Sequence, residues 1–255
     1  MKGLIAAGGN ATRLEELTRV TNKHLLPVGS RPMVYYPLQL LQRVGVREVL
    51  IVTGQQHAGQ FIDLLGNGHV LARGSDEVLF DLDLSYKVQT EAGGIAQVVG
   101  MARNFAAGDR LVVCLGDNIF EHAQADAIGG WDDGALVFAK DVPDPENFGV
   151  VAYGDDGTVA DIVEKAGSVD TRYDAPPSSD AIVGLYCYPP DVFDIIDGLE
   201  PSNRGELEIT DVNRAYAQAH RLRVERVEGW WHDGGKHWHD LAEVGRLIEE
   251  TGANK

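Results

Sequence analysis

Short apolar runs cut off by glycine alternate, through the first half of the chain, with stretches whose apolar positions recur at helical spacing. KGLIAAGG predicts a buried strand, PMVYYPLQLLQRVG a helix, EVLIVTG a second strand and AGQFIDLLGNG a short helix. LSYKVQ, RLVVCLGDN and ALVFAKDV read as further strands, and GGIAQVVGMARNF as a helix opened by glycines. Strands alternating with amphipathic helices predict a parallel sheet wrapped by helices, with a mixed sheet by the third of these later strands.

The second half changes character. FGVVAYGDDGTVADIVEK alternates apolar and polar positions on both sides of Gly-Asp-Asp-Gly, which predicts a hairpin and an accessory β element. DAIVGLYCYPP is a strand closed by two prolines, PDVFDIIDGL and ITDVNRAYAQAH are helices, RLRVERVEGWWHD is a strand, and KHWHDLAEVGRLIEETG is a final amphipathic helix. Residues 166–180, AGSVDTRYDAPPSSD, predict an irregular loop. The 255 residues are expected to form a single domain, with a core over about 1–140 plus C-terminal elements and an accessory part over about 141–230.

Composition changes this picture only in its charge. A net charge of −17 argues against nucleic-acid or anionic-membrane binding, while leaving room for a local basic pocket that takes an anionic small molecule. No apolar run reaches the length of a membrane span and the apolar start lacks a leader's polar flank, so a cytoplasmic protein is expected. Cys114 and Cys187 both sit in strand-like runs without metal-ligand spacing and read as buried thiols.

Open α/β sheets bind ligands beyond the carboxyl ends of their strands, which directs attention to four places. After the first strand comes GGNATRL, with Arg13 in the turn and Lys23 downstream. It is neither a Walker loop, since Gly9 is followed by Asn10, nor a G-x-G-x-x-G fingerprint. Gln89 follows LSYKV, with Gly93 and Gly94 opening a helix; Asp117 follows LVVCL; Asp233 follows VERVEGWW. Two carboxylates with Arg13 and Lys23 beside a glycine turn would suit a divalent cation bound to a polyphosphate. Taken singly, each Asp is more commonly a turn or cap residue, Arg13 a surface ion-pair partner and Lys23 a solvated side chain.

The stretches GLIAAGGNATRL, NKHLLPVGSRPMVYYPL, LGDNIF, NFGVV, VEK and RGELEITDVN occur in the order seen in sugar-1-phosphate nucleotidylyltransferases. The chain resembles that family over nearly its whole length, and most of all its glucose-1-phosphate thymidylyltransferases. The resemblance implies a three-layer, Rossmann-like α/β nucleotidyltransferase core with a mixed, mainly parallel sheet and a small sugar-binding β lobe. It implies that Gly8, Gly9, Asn10, Ala11 and Thr12 hold the nucleotide, with Arg13 and Lys23 facing the triphosphate and Gln89 and Gly94 recognising the pyrimidine. It further implies that Asp117 and Asp233 hold Mg²⁺, and that Gly149, Glu164, Lys165, Ile182, Tyr186, Arg204 and Trp231 line the sugar 1-phosphate. Arg13, Lys23 and Lys165 would be the catalytic cations. Without the resemblance, Glu164 and Lys165 are a surface charge pair.

The implied substrates are dTTP and glucose 1-phosphate. Other triphosphates (UTP, CTP, GTP or ATP), a different phosphate acceptor, and a non-catalytic nucleotide-binding homologue are the alternatives. The chain departs from the family's pattern at Ala11, where the loop usually has a third glycine, at Glu15 and Glu16, where a proline is usual, at Ala166, and in the turn Trp231-His232-Asp233-Gly234-Gly235-Lys236. It resembles the short form, without the C-terminal helices of a regulatory site. A monomer or homodimer with weak or absent feedback is therefore expected. His232, His237 and His239 are not expected to be ligands, because Mg²⁺ prefers oxygen.

Overall fold

The structure is a computed structural model that describes residues 1–8, 12–235 and 237–255, with the side chains of Thr12, Arg13 and Glu15 left aside. The first part of the chain forms β1 (Lys2–Ala7), β2 (Pro27–Val28), β3 (Arg31–Pro32), α1 (Tyr35–Arg43), β4 (Glu48–Gly54), α2 (Ala58–Leu65), β5 (His69–Leu71), β6 (Val78–Asp81) and β7 (Asp83–Gln89). There follow α3 (Ile95–Met101), α4 (Arg103–Ala106), β8 (Leu111–Leu115), β9 (Asn118–Phe120), α5 (Ala125–Gly129), β10 (Ala135–Asp141), β11 (Gly149–Tyr153) and β12 (Val159–Glu164). The last elements are β13 (Asp180–Tyr188), α6 (Val192–Asp197), α7 (Ile209–Gln218), β14 (Leu222–Arg226), β15 (Trp231–Asp233) and α8 (Trp238–Thr251). They gather into two compact units. Unit 1 comprises Met1–Ala92, Val112–Gly129 and Glu228–Lys255; unit 2 comprises Gly93–Leu111 and Gly130–Val227.

In unit 1 the strand order is β8-β1-β4-β7. β1 and β4 run parallel with Ala7 opposite Thr53, and β4 and β7 run parallel with Gly54 opposite Gln89. This register brings the carboxyl ends of three strands level, so that Gly8, Gly54 and Gln89 emerge at one rim. Leu4, Ile5, Val49, Ile51 and Val52 are buried, as expected of parallel strands covered on both faces. A Cβ at Gly3 would lie 2.9 Å from Leu41 Cδ1, so the glycine lets β1 and α1 approach closely. β9 and β15 form a separate antiparallel pair in which Asp233 faces Asn118. Val28, Met33, Tyr36, Ile119 and Val244 close a small apolar cluster against α8.

In unit 2, β10 pairs antiparallel with β13 and parallel with β14, and β11 pairs antiparallel with β12 and β13. All nine residues of β13 are buried. The Gly-Asp-Asp-Gly hairpin forms as read, with Gly157 at φ +78° and Thr158 N–H donating to Asp156 Oδ1 at 3.0 Å. Cys114 and Cys187 are buried free thiols.

Two expected elements are corrected. RLRVERVEGWWHD is not one strand: it breaks between β14 and β15, where Gly229 takes φ +70° and a Cβ would strike the Glu121 carboxylate at 2.5 Å. The helix expected over GGIAQVVGMARNF is interrupted at Ala102, whose N–H bonds Val99 O in the tighter 3₁₀ pattern.

Candidate active site

The end of β1, the turn after β8 and the turn after β15 are stitched together by backbone bonds. Gly116 N–H donates to Ala6 O at 2.9 Å and Gly234 N–H to Asp117 O at 2.8 Å. Into this corner the 3₁₀ turn Lys23–Leu25 sends Lys23, whose Nζ donates to Asp117 Oδ2. Asn118 Nδ2 donates to Asp117 Oδ1 at 3.0 Å, and Trp231 Nε1 to Asn118 Oδ1 at 2.7 Å. Burial disfavours the charged form of Asp117, yet Lys23, with His24 and the bonds from Lys23 and Asn118, outweighs it and holds the carboxyl down at about 2.

The Lys23 turn is itself anchored. Asn22 Nδ2 donates to Ala7 O at 3.1 Å, which fixes the amide so that Oδ1 accepts from His24 N–H at 2.9 Å and faces His24 Nδ1 at 2.6 Å. Nδ1 therefore carries the imidazole proton. Burial first, and then Lys23 beside it, push His24 down to about 3 against the opposing pull of Asp117, so the ring is neutral at physiological pH.

Gly235 stands over the ion pair. A Cβ there would lie 2.5 Å from Asp117 Oδ2 and 2.6 Å from Lys23 Nζ. Gly235→Ala is expected to part the two charges and lower turnover by about 10- to 100-fold, a misplacement effect. Steady-state rates read beside thermal melting check this, and wild-type turnover in the folded variant contradicts it.

Gln89 lies at the same rim. A Cβ on Gly8 would come 2.6 Å from Gln89 Oε1, so the bare glycine leaves space for the amide. A cavity of about 450 Å³ in unit 1 is lined by Lys23, Gln89, Asn22, Thr18, Thr21, Gln55, Gln56, His57 and Thr90, among others. The sequence reading named only Lys23 and Gln89 of these. Gln55, Gln56 and His57 follow β4 directly, and the strand-end rule that found Asp117 would have found them too.

Unit 2 gathers a second set. Gly149 faces Glu164 across the β11–β12 hairpin, and a Cβ on it would lie 2.9 Å from Thr210 Oγ1 and 3.1 Å from Glu164 Oε2. Thr210 Oγ1 donates to Glu164 Oε2, while Lys165 Nζ and Arg204 Nη2 stand 3.5 and 3.7 Å from Glu164 Oε1. Arg204 is held by Glu208, which is buried and accepts from Nε at 3.2 Å and Nη2 at 2.8 Å. Ile182 and Tyr186 are buried on β13. The sequence reading assigned no role to Thr210 and Glu208, although both lie in the quoted RGELEITD. Gly94, at φ +91°, belongs to unit 2, and a Cβ there would strike Leu207 O at 2.3 Å, so close packing alone demands the glycine. Trp231 belongs to unit 1. The expectations on Gly9, Asn10 and Ala11, and on the side chains of Thr12, Arg13 and Glu15, lie outside the described residues.

The nucleotidyl transferase family profile matches residues 2–251. The chain belongs to the nucleotidyl transferase family. Its relatives in that family include the glucose-1-phosphate thymidylyltransferase of Xanthomonas campestris pv. campestris (strain B100), 39% identical over 254 residues, covering 97% of this chain and 80% of the relative. The enzyme of the same name from Mycolicibacterium smegmatis is 38% identical over 98% of this chain and 81% of its own length. A crystal structure assigned as a glucose-1-phosphate thymidylyltransferase from Bacillus anthracis, in complex with sucrose, superposes with a TM-score of 0.85 at 38% identity, covering 98% of this chain and 96% of that one. A UDP-glucose pyrophosphorylase, 21% identical, shares the fold with a TM-score of 0.83. The mixed α/β fold with a mainly parallel sheet is thus that of a nucleotidyl transferase.

One departure from the family's sequence pattern, Glu16, finds its place. Glu16 is exposed and meets Arg19 at 3.2 Å. His237 caps α8 in a reciprocal box with Asp240. No helix among the described residues is long and apolar enough to cross a membrane.

Proposed function

We propose that this nucleotidyl transferase forms dTDP-glucose and pyrophosphate from dTTP and glucose 1-phosphate. The observation that carries the reading is the Lys23–Asp117 pair, set at aligned strand ends beneath Gly235 and beside the cavity that Gln89 lines. Residues of unit 1 take the nucleotide: the loop from Gly8 to Thr12 and Arg13 with Lys23 receive the triphosphate, and the uncharged amides and hydroxyls of the cavity suit a base and sugar edge. Gly94 is read as a further nucleotide contact. Glu164, Lys165, Arg204, Gly149, Ile182 and Tyr186 of unit 2, with Trp231, take glucose 1-phosphate, the carboxylate accepting hydroxyls and the cations facing phosphate.

The donor set of unit 1 fits Mg²⁺. Asp117 is ionised, Asp233 lies on β15 opposite Asn118, the residue after Asp117, and both offer hard oxygens. Two carboxylates with the remaining positions left to water and phosphate oxygens match how Mg²⁺ binds in phosphoryl-transfer sites. When bound, Mg²⁺ would neutralise the triphosphate and polarise its α-phosphorus.

A phosphate oxygen of glucose 1-phosphate attacks the α-phosphorus in line; the new P–O bond forms as the bond to the β-phosphate oxygen breaks, and pyrophosphate leaves. No general base is needed, because the nucleophile is ionised at neutral pH. The work of the protein is to bring two anions together and hold them in line, with Lys23 and Arg13 on the triphosphate and Lys165 on the sugar phosphate. A monomer or homodimer acting on these small molecules alone, without nucleic acid or membrane, completes the proposal.

Pyrophosphate release from dTTP, UTP, CTP, GTP and ATP with glucose 1-phosphate and Mg²⁺ tests it. The highest kcat/KM is expected with dTTP, and UTP is expected within about 10- to 200-fold, since one methyl contact is worth about 1–3 kcal/mol. A purine triphosphate outranking dTTP, or silence with all five, overturns the assignment.

A further inference from the structure

The ion pairs of unit 2 concentrate where β12, α7 and the loop after β12 meet. Arg214 on α7 donates from Nε to Asp161 Oδ1 at 3.0 Å, and from Nη2 to both Asp170 Oδ2 and the Ile162 carbonyl at 2.9 Å. Its Nη1 donates to Asp211. Arg172 grips Asp170 through Nε at 2.9 Å and Nη2 at 2.6 Å, and reaches Asp161 Oδ2 at 2.9 Å through Nη1. The side chains of Asp161, Asp170 and Arg214 are only 13, 8 and 19% exposed. Charges withdrawn this far from water are tolerated only when partnered, and removing one partner leaves an uncompensated buried charge.

What this network holds is the corner that follows β12. Asp170 N–H donates to Glu164 O at 2.9 Å, and Gly167 N–H to Asp170 O at 3.0 Å. Between them Lys165 takes φ +42°, a left-handed conformation that a residue with a Cβ keeps only when its surroundings impose it. Its N–H is tied to Phe148 O at 3.0 Å, and its carbonyl accepts from Ser168 and Val169 N–H. The direction in which the Lys165 side chain leaves the backbone therefore depends on a turn whose far end, Asp170, is pinned by two arginines.

We infer that Arg214, backed by Arg172, is a positioning residue that sets the Glu164–Lys165 corner through Asp161 and Asp170. The inference rests on the reading of that corner as the receptor of the sugar phosphate. Neither arginine needs to touch the substrate, so the expected signature is selective: affinity for the sugar phosphate falls and affinity for the nucleotide does not.

Steady-state kinetics of the full chain test this with Arg214→Gln, Arg214→Lys, Arg172→Gln and Lys165→Ala, each with a thermal melt. Arg214→Gln is expected to raise the KM for glucose 1-phosphate at least tenfold while the KM for dTTP stays within twofold. Arg172→Gln is expected to raise it three- to fivefold, and this half-exposed residue carries the test if Arg214→Gln does not fold. Arg214→Lys is expected to recover only part of the loss, because one ammonium cannot span Asp161, Asp170 and the Ile162 carbonyl together. Both KM values rising in parallel, or neither moving in the folded variants while Lys165→Ala raises the KM for glucose 1-phosphate, overturns the positioning role alone. An unchanged KM for glucose 1-phosphate in Lys165→Ala overturns the reading of the corner itself.

Discussion

Asp117→Asn is expected to lower turnover on the order of 10³-fold, as removal of a fixed charge from the reacting centre does. The change is nearly isosteric, so the backbone bond from Gly234 to Asp117 O and one oxygen for Asn118 or Lys23 remain. What disappears is an ionised oxygen that faces Lys23 and, on the proposed reading, the metal. Lys23 loses its countercharge while its side chain is only 17% exposed. Some destabilisation must follow, about 3 kcal/mol at most, because the variant amide still accepts a bond. A domain stable by about 5–15 kcal/mol stays folded at 25 °C. Asp233→Asn separates the two contributions. Asp233 is only partly buried, and its Oδ1 accepts from Gly235 N–H at 3.0 Å, a bond an amide oxygen keeps. Its loss of rate should therefore come with little loss of melting temperature. If both carboxylates serve one ion, the double variant loses barely more rate than the worse single one. Activity within tenfold of wild type in Asp117→Asn at saturating Mg²⁺ would sink the assignment.

The unevenness of what the sequence reveals has physical causes. Strands such as β1, β4 and β8 are buried on both faces, so their apolar runs are unbroken and end where glycine or Asp begins; Asp117 and Gly8 were legible for that reason. β9, β15 and the β5–β6 hairpin are three or four residues long, too short for a period to show, and β9 is only Asn118-Ile119-Phe120 between Asp117 and Glu121. The turn of Gly229 between β14 and β15 is masked by apolar residues on either side, which simulate a single strand. The two halves of the site differ in the same way. Asp117 follows from a strand end, a general property of open sheets, and Lys23 lies downstream of the turn that ends β1. Glu164 and Lys165 lie at the end of a hairpin, and nothing in a Glu-Lys dipeptide separates them from any solvated pair; only the family resemblance marked them. The network behind them was not legible at all, since Asp161, Asp170, Arg172 and Arg214 are scattered over about fifty residues of ordinary surface composition. Contacts between such charges are created by topology, not by spacing.

His24 makes a second large effect, on stability toward acid. Its ring is wholly buried, bonded through Nδ1 to Asn22 Oδ1, and packed so close to Gly116 that a Cβ there would lie 2.6 Å from the ring carbon Cδ2. Folded, it titrates at about 3 against an ordinary 6.5. The unfolded chain therefore binds the extra proton first. The stabilising contribution is complete above pH 6.5 and drains away as the pH falls through the window down to about 3. Each pH unit well inside that window costs about 1.4 kcal/mol; with the unfolded ring half protonated at pH 6.5, lowering the pH from 6.5 to 4.5 removes about 2 kcal/mol. Asp117, held at about 2 against an ordinary 3.8, loses its contribution only below that ordinary value, so the two groups act in separate ranges. His24→Gln supplies an amide that can donate to Asn22 without a titrating ring. Urea unfolding at pH 6.5 and 4.5 should show the variant losing about 2 kcal/mol less than the wild type over this interval. Equal losses in the two proteins would mean that His24 takes up its proton in the fold as readily as in the unfolded chain, and would overturn the account of a ring kept neutral by burial.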